Sequence, residues 1–168
     1  EILNNRTLRL YPSDDIIGAQ IGGAVKNVIA IACGIIEGKK LGDSARAALI
    51  TRGLAEIARL AKALGAKKET LMGMCGVGDL LLTCSSMQSR NFSLGVALGQ
   101  GKTLAEILAT RNSVTEGVYT AKALDTMARG NAVDMPISSA VHKCLSETVN
   151  IEELIGQMLD RPLKSERA

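Results

Sequence analysis

From Ile16 to Ile36 the only charged residue is Lys26, and this stretch constrains the fold more than any other part of the chain. Its apolar residues lie all round a helix rather than along one stripe, so such a helix must be enclosed by other elements. Ser13, Asp14 and Asp15 are capping candidates before it, and Glu37-Gly38 follows it. By length alone the stretch also satisfies a membrane span. Gln20, Asn27 and a lysine at mid-segment oppose that reading, because polar and charged groups are costly in lipid. The expectation is a core helix of a globular domain with no transmembrane segment.

The elements around it are expected to be helices as well. Asp43 stands as the cap of a second helix, in which Leu49, Leu54, Ile57 and Leu60 recur at helical spacing up to Gly65 and Arg46, Arg52, Glu56 and Arg59 take the other face. Short helices are expected over 68–72, 79–84 and 90–98, separated by glycine and serine. Thr103, Ser113 and Asn150 are each followed three residues later by glutamate, the pattern of a capping box, and Pro136 suits a first helical turn. Residues 13–168 thus read as one all-α, multi-helical domain with a polar tail from Asp160. Only 6–11 alternate as a strand does, with Leu8 and Leu10 on one side and Thr7, Arg9 and Tyr11 on the other. A lone strand leaves its backbone groups unpaired, so residues 1–12 are expected to complete a sheet in a preceding domain.

Composition removes several classes of function. A net charge of +3 with two Tyr, one Phe and no Trp supplies neither a basic groove nor a stacking surface, so nucleic acid is not an expected partner. Cys33, Cys75, Cys84 and Cys144 form no C-x-x-C pair and His142 is the single histidine, so no metal site is expected. Apolar flanks around three of those cysteines suggest reduced thiols and a cytoplasmic setting.

Three segments carry residues suited to chemistry. Lys26 lies among Gly22, Gly23, Ile29 and Ala30, with no carboxylate within a helical turn. Desolvation disfavours an ammonium and suits such a group to proton transfer, although a snorkelling surface lysine has the same pattern; Asn27 beside it can orient a polar ligand or bond to backbone. Asp79 follows the glycines at 73, 76 and 78, and stands either as a helix cap or, with Thr83 one turn on, as the lining of a pocket. Those glycines are in the wrong order for a dinucleotide fingerprint, and Gly101-Lys102-Thr103 lacks the first glycine of a P-loop. The run Ser85-Ser86-Met87-Gln88-Ser89-Arg90-Asn91 brings hydroxyls, a guanidinium and helix-opening amides together, the components of an oxyanion site as well as of an ordinary cap.

In order, Gly23-Ala24-Val25-Lys26-Asn27-Val28-Ile29-Ala30, Thr51-Arg52-Gly53-Leu54-Ala55-Glu56, Gly76-Val77-Gly78-Asp79-Leu80, Thr83-Cys84, Ser89-Arg90-Asn91 and Val114-Thr115-Glu116-Gly117 resemble the C-terminal domain of bacterial NAD(P)-dependent glycerol-3-phosphate dehydrogenases from about Arg9 to Ile155. The resemblance implies a helical domain of the 6-phosphogluconate dehydrogenase C-terminal type, preceded by a Rossmann domain that binds most of the NAD or NADP. It implies interconversion of dihydroxyacetone phosphate and glycerol 3-phosphate for phospholipid synthesis, a fragment inactive on its own, and a possible homodimer. Lys26 then matches the family's general acid/base. Asn27, Asp79, Thr83, Ser89, Arg90 and Asn91 match the substrate site, and Arg90, Val114 and Glu116 match positions that contact the cofactor. The competing readings are a related ketopantoate or 3-hydroxyacid reductase, which the Ser89-Arg90-Asn91 block opposes, and a non-enzymatic helical dimerisation module, which leaves Lys26 unexplained.

Overall fold

The computed structural model describes residues 7, 8, 10–111, 115–146 and 149–160. Among these residues the regular structure is helical: α1 Ile16–Gly38, α2 Asp43–Ala63, α3 Lys68–Leu71, α4 Asp79–Thr83, α5 Arg90–Gly99, α6 Leu104–Ala109, α7 Glu116–Gly130, α8 Pro136–Leu145 and α9 Ile151–Leu159, with a wide π-type turn over Met74–Gly78. No strand is present among them. Thr7, Leu8, Leu10 and Tyr11 have no regular structure, whereas Arg6 and Arg9 of the expected strand lie outside the described residues. A strand forms only beside a neighbouring strand, and none is present among the described residues.

α1 is the central helix. Val28, Ile29, Ala30, Ile31 and Cys33 are fully enclosed, packed by α2 and α8 on one side and by α5 and α7 on the other. It is long and apolar enough to cross a membrane, yet half of its most apolar window is buried inside the domain, as in a core helix. Its tightest neighbour is α5. A Cβ added at Gly99 would stand 2.6 Å from the Ile35 carbonyl oxygen, and Cβ atoms added at Gly34 or Gly95 would overlap the backbone of the opposite helix. Gly34, Gly38, Gly95 and Gly99 thus form a seam with no side chain between the two backbones.

Asp15 fixes where α1 begins. Its Oδ1 accepts from the Gly18 amide at 2.9 Å and its Oδ2 from the Lys67 amide at 2.8 Å, so one carboxylate caps α1 and anchors the turn that opens α3. The Gly18 bond foremost, with those to Thr70 and Lys67, holds this carboxyl below its ordinary value of 3.8. A depressed carboxylate stabilises the fold above the unfolded value, and the contribution is lost as pH falls through the folded one. The expected result is that wild type melts above Asp15→Asn at neutral pH and that the gap closes as the medium is acidified below pH 3.8. A gap that persisted there would assign the effect to packing.

Two elements depart from the sequence reading. α2 starts at Asp43 itself, capped by Gly42 at φ 91, because a left-handed residue turns the chain there and leaves Asp43 inside the first turn. Glu56 belongs to the interior rather than the solvated face: it is 1% exposed and accepts from the Ile137 amide at 2.6 Å, the Ser138 amide at 3.1 Å and the Ser138 hydroxyl at 2.8 Å. α8 opens with Pro136 and Met135 provides no side-chain cap, so a carboxylate from α2 satisfies its free amides instead. Burial nevertheless pushes the Glu56 carboxyl up from 4.5.

The capping boxes divide in the same way. Thr103 with Glu106 is complete, and Asn150 accepts from the Glu153 amide. α7 begins at Glu116 with Thr115 before it, so Glu116 is its first helical residue and not the third; Ser113 lies outside the described residues. All four cysteines are free thiols, with Cys33, Cys84 and Cys144 buried. The hydrogen bond of the Cys84 thiol to Cys33, with burial, pushes that thiol far above its ordinary value, as in an unreactive buried cysteine.

Candidate functional site

The site is built outward from α1. Gly22 has no side chain, and the Cys75 carbonyl oxygen lies 2.6 Å from where its Cβ would be, so the π-type turn rests directly on the helix one turn before Lys26. Gly76 is buried inside that turn against the Leu71 backbone, a position closed to any Cβ. Wide turns of this kind re-aim the residue that follows. Here that residue is Asp79, which opens α4 and whose Oδ2 pairs with the Lys26 ammonium.

Asp79 follows the cap position, which Gly78 takes, and is the first residue of α4, with its carboxylate turned to Lys26. Thr83, one turn on, places Oγ1 2.6 Å from the Asp79 carbonyl oxygen and 3.2 Å from Oδ1. The Asp79 carboxylate is therefore held from two sides. Side-chain exposure is 19% for Lys26 and 34% for Asp79, a pair half sunk in the surface and reachable from outside. An ammonium has three N–H donors and Asp79 takes one, leaving donors for a ligand oxygen. Gly23, by contrast with Gly22, has open space where a Cβ would be.

A second group of residues sits beside the first. Asn27 is buried at 9% exposure, and its amide donates to the Gly23 carbonyl at 3.4 Å, so its side chain serves the backbone of α1. Its own carbonyl oxygen lies 3.1 Å from where a Cβ of Gly117 would be, and the Asn91 Oδ1 lies at 2.5 Å from the same point. Gly117 thus allows the opening turn of α7 to touch both α1 and α5. Asn91, itself buried, accepts from the Gly117 amide at 2.9 Å and locks α5 to α7. Arg90 at the start of α5 pairs with Glu116 at the start of α7 at 3.0 Å, both more than half exposed. Ser89 is the cap of α5, accepting from the Phe92 amide at 3.2 Å.

The expected residues therefore fall into three sets. Lys26, Asp79 and Thr83 meet in one cluster, Arg90 and Glu116 form an exposed pair whose helix openings Asn91 joins from within, Asn27 bonds the backbone of α1, and Ser89 is a cap. Val114 lies outside the described residues. Arg111 has no apolar setting or motif to mark it in the sequence. Its guanidinium donates to the Arg90 carbonyl at 2.8 Å, the Thr115 hydroxyl at 3.2 Å and the Ser93 hydroxyl at 3.0 Å. Burial lowers its pKa from the ordinary arginine value. A cavity of about 360 Å³ elsewhere, between α7, α8 and α9, mixes Asp125, Asp134, Arg129 and Lys143 and includes none of these residues.

Residues 15–156 match the protein family described as the NAD-dependent glycerol-3-phosphate dehydrogenase C-terminus. Among curated relatives, a glycerol-3-phosphate dehydrogenase [NAD(P)+] of Rhodospirillum rubrum is 59% identical over 164 residues, 98% of this chain and 47% of the relative. The enzyme of the same name from Staphylococcus aureus is 47% identical over 166 residues, 99% of this chain and 50% of the relative. The crystal structure of glycerol-3-phosphate dehydrogenase from Coxiella burnetii superposes with a TM-score of 0.91 at 43% identity, covering 95% of this chain and 49% of that one. This chain accordingly spans about half the length of the curated relatives it matches. Matched along its helical core in sequence and in structure, the chain belongs to the NAD-dependent glycerol-3-phosphate dehydrogenase C-terminus family.

Proposed function

We propose that this domain forms the substrate half of an enzyme that interconverts dihydroxyacetone phosphate and glycerol 3-phosphate with NAD(P)H, joined to a nucleotide-binding half through residues 1–12. The observation that carries this reading is the Lys26–Asp79–Thr83 cluster, in a domain that also presents an exposed arginine at the head of α5. A ketone undergoing reduction needs a proton at its oxygen, and a phosphate needs a fixed cation. Both are present in this domain, an ammonium at Lys26 and a guanidinium at Arg90.

Lys26 acts as the acid, giving a proton to the ketone oxygen as alkoxide character develops and recovering it in the reverse direction. Asp79 orients the ammonium, and Thr83 orients Asp79. Arg90 binds the phosphate of the substrate and reaches the nucleotide, with Glu116 beside it. When bound, the nicotinamide supplies or accepts the hydride. An exposed pair at the openings of two helices suits an anionic dinucleotide that arrives from outside the domain. Leu82, one turn beyond Asp79, is 71% exposed, and an apolar rim beside a catalytic pair suits coverage by a second domain that excludes water. The same reading places the enzyme in the cytoplasm, feeding phospholipid synthesis, and allows a homodimer.

The test is oxidation of NADH or NADPH by the intact enzyme with dihydroxyacetone phosphate. No turnover with either cofactor would refute the substrate assignment. Arg90→Ala is expected to raise the apparent KM for dihydroxyacetone phosphate by about tenfold or more, the scale of one charge-assisted hydrogen bond. An unaltered KM would remove Arg90 from phosphate binding.

A further inference from the structure

We propose that Arg111 is a positioning residue for anion binding at this site, bridging the opening turns of α5 and α7 so that Arg90 and Glu116 stay in register. The inference rests on the reading of that site given above and extends it to a residue with no place in the sequence motifs.

The geometry is specific to a guanidinium. The Arg90 carbonyl and the Ser93 hydroxyl belong to the first turn of α5, and Thr115 immediately precedes α7. Arg111 contacts all three, two through Nη1 and one through Nη2. A planar fork with several donors reaches three acceptors at once, which an ammonium on a flexible stem does not do. Every one of these acceptors is neutral, and no carboxylate pairs with Arg111 among the described residues. A half-buried cation without a counter-charge is a poor choice for stability alone. Thr115 is fully buried, so the bridge ends on a fixed point rather than a mobile surface group.

Arg111 thereby joins Asn91 in fixing the distance between the two helix openings, and with it the spacing of the Arg90 and Glu116 side chains. Loss of the bridge leaves Lys26 and Asp79 in place, since these are held by α1 and the π-type turn. Binding is affected and proton transfer is not.

The experiment compares Arg111→Met and Arg111→Lys with wild type in the intact enzyme, reading kcat and KM for dihydroxyacetone phosphate at saturating NADH or NADPH. Arg111→Met is expected to raise KM by about tenfold while kcat changes by less than about threefold, the split that marks lost ground-state binding. Arg111→Lys keeps the charge but not the fork and is expected to recover only part of the loss. In an Arg90→Ala background the further effect of Arg111→Met should shrink to within about twofold, because residues that act through one another are non-additive. An unchanged KM, full recovery by lysine or full additivity with Arg90→Ala would each overturn the proposal. If Arg111→Met fails to fold, Arg111→Lys alone decides, and a KM equal to wild type refutes it. Wild-type enzyme inactive with dihydroxyacetone phosphate would instead refute the substrate reading and this inference with it, whereas active wild type with indifferent variants refutes only the role of Arg111.

Discussion

Replacing Lys26 with alanine in the intact enzyme is expected to lower kcat with dihydroxyacetone phosphate by at least about a hundredfold, the contribution of a positioned general acid. The cofactor KM should hardly move, because the Arg90–Glu116 pair on α5 and α7 is untouched. The size of the effect follows from isolation. Lys26 pairs with Asp79, and Asp79 is held in turn by Thr83, so no second amine stands ready on this cluster to protonate the ketone oxygen. Asp79→Asn should give a smaller loss, since it retains a polar neighbour and removes only the charge that orients the ammonium. Steady-state kinetics on both variants, with circular dichroism to confirm the fold, separate the two roles. Turnover of Lys26→Ala within a few-fold of wild type would take Lys26 out of the chemistry.

The second large effect concerns folding. Gly95→Ala is expected to destabilise the domain by about 3 kcal/mol or more, beyond ordinary overpacking, because the added methyl would overlap the Ile31 carbonyl oxygen of α1. A flexible side chain could swing aside, but a helix backbone must move as a body. Separating α1 from α5 would open the contacts of Phe92 and Leu94, both in the core, and would shift Arg90 and Asn91 at the head of α5. Gly130→Ala is the control: it too is a helical glycine, with nothing within 4 Å of the new methyl, and its change should stay within about 1 kcal/mol. Denaturant unfolding of the two variants measures both. Equal stabilities would mean that the seam yields and that close approach of α1 and α5 is not required.

The same comparison shows where a linear pattern was sufficient. Caps act over three or four residues, so Thr103 and Asn150 were identifiable from their neighbours alone, whereas Asp15 was one of three candidates with Ser13 and Asp14. Lys26 was identifiable because a single cation in an apolar run is anomalous. Glu56 misled for the opposite reason: a glutamate among Arg52 and Arg59 looks solvated, and its partners at Ile137 and Ser138 lie on another helix. The signal that marks it is indirect, a proline-led helix with no side-chain cap of its own. Gly34, Gly38, Gly95 and Gly99 carry a visible four-residue spacing, yet spacing does not say which helix each pair meets.

By itself the sequence determined the helical class, the buried central helix, most helix limits, and the residue types able to move a proton or bind an anion, since these depend on periodicity, capping and composition within a few residues. Only the tertiary structure decided that the Asp79 carboxylate pairs with Lys26, that Asn91 serves Gly117 from within, and that Arg111 bridges the head of α5 to Thr115. Each of those pairings joins different elements at a distance set by packing, through Gly22 beneath the π-type turn and Gly117 between three helices, and packing distances are not written in the order of residues along a chain.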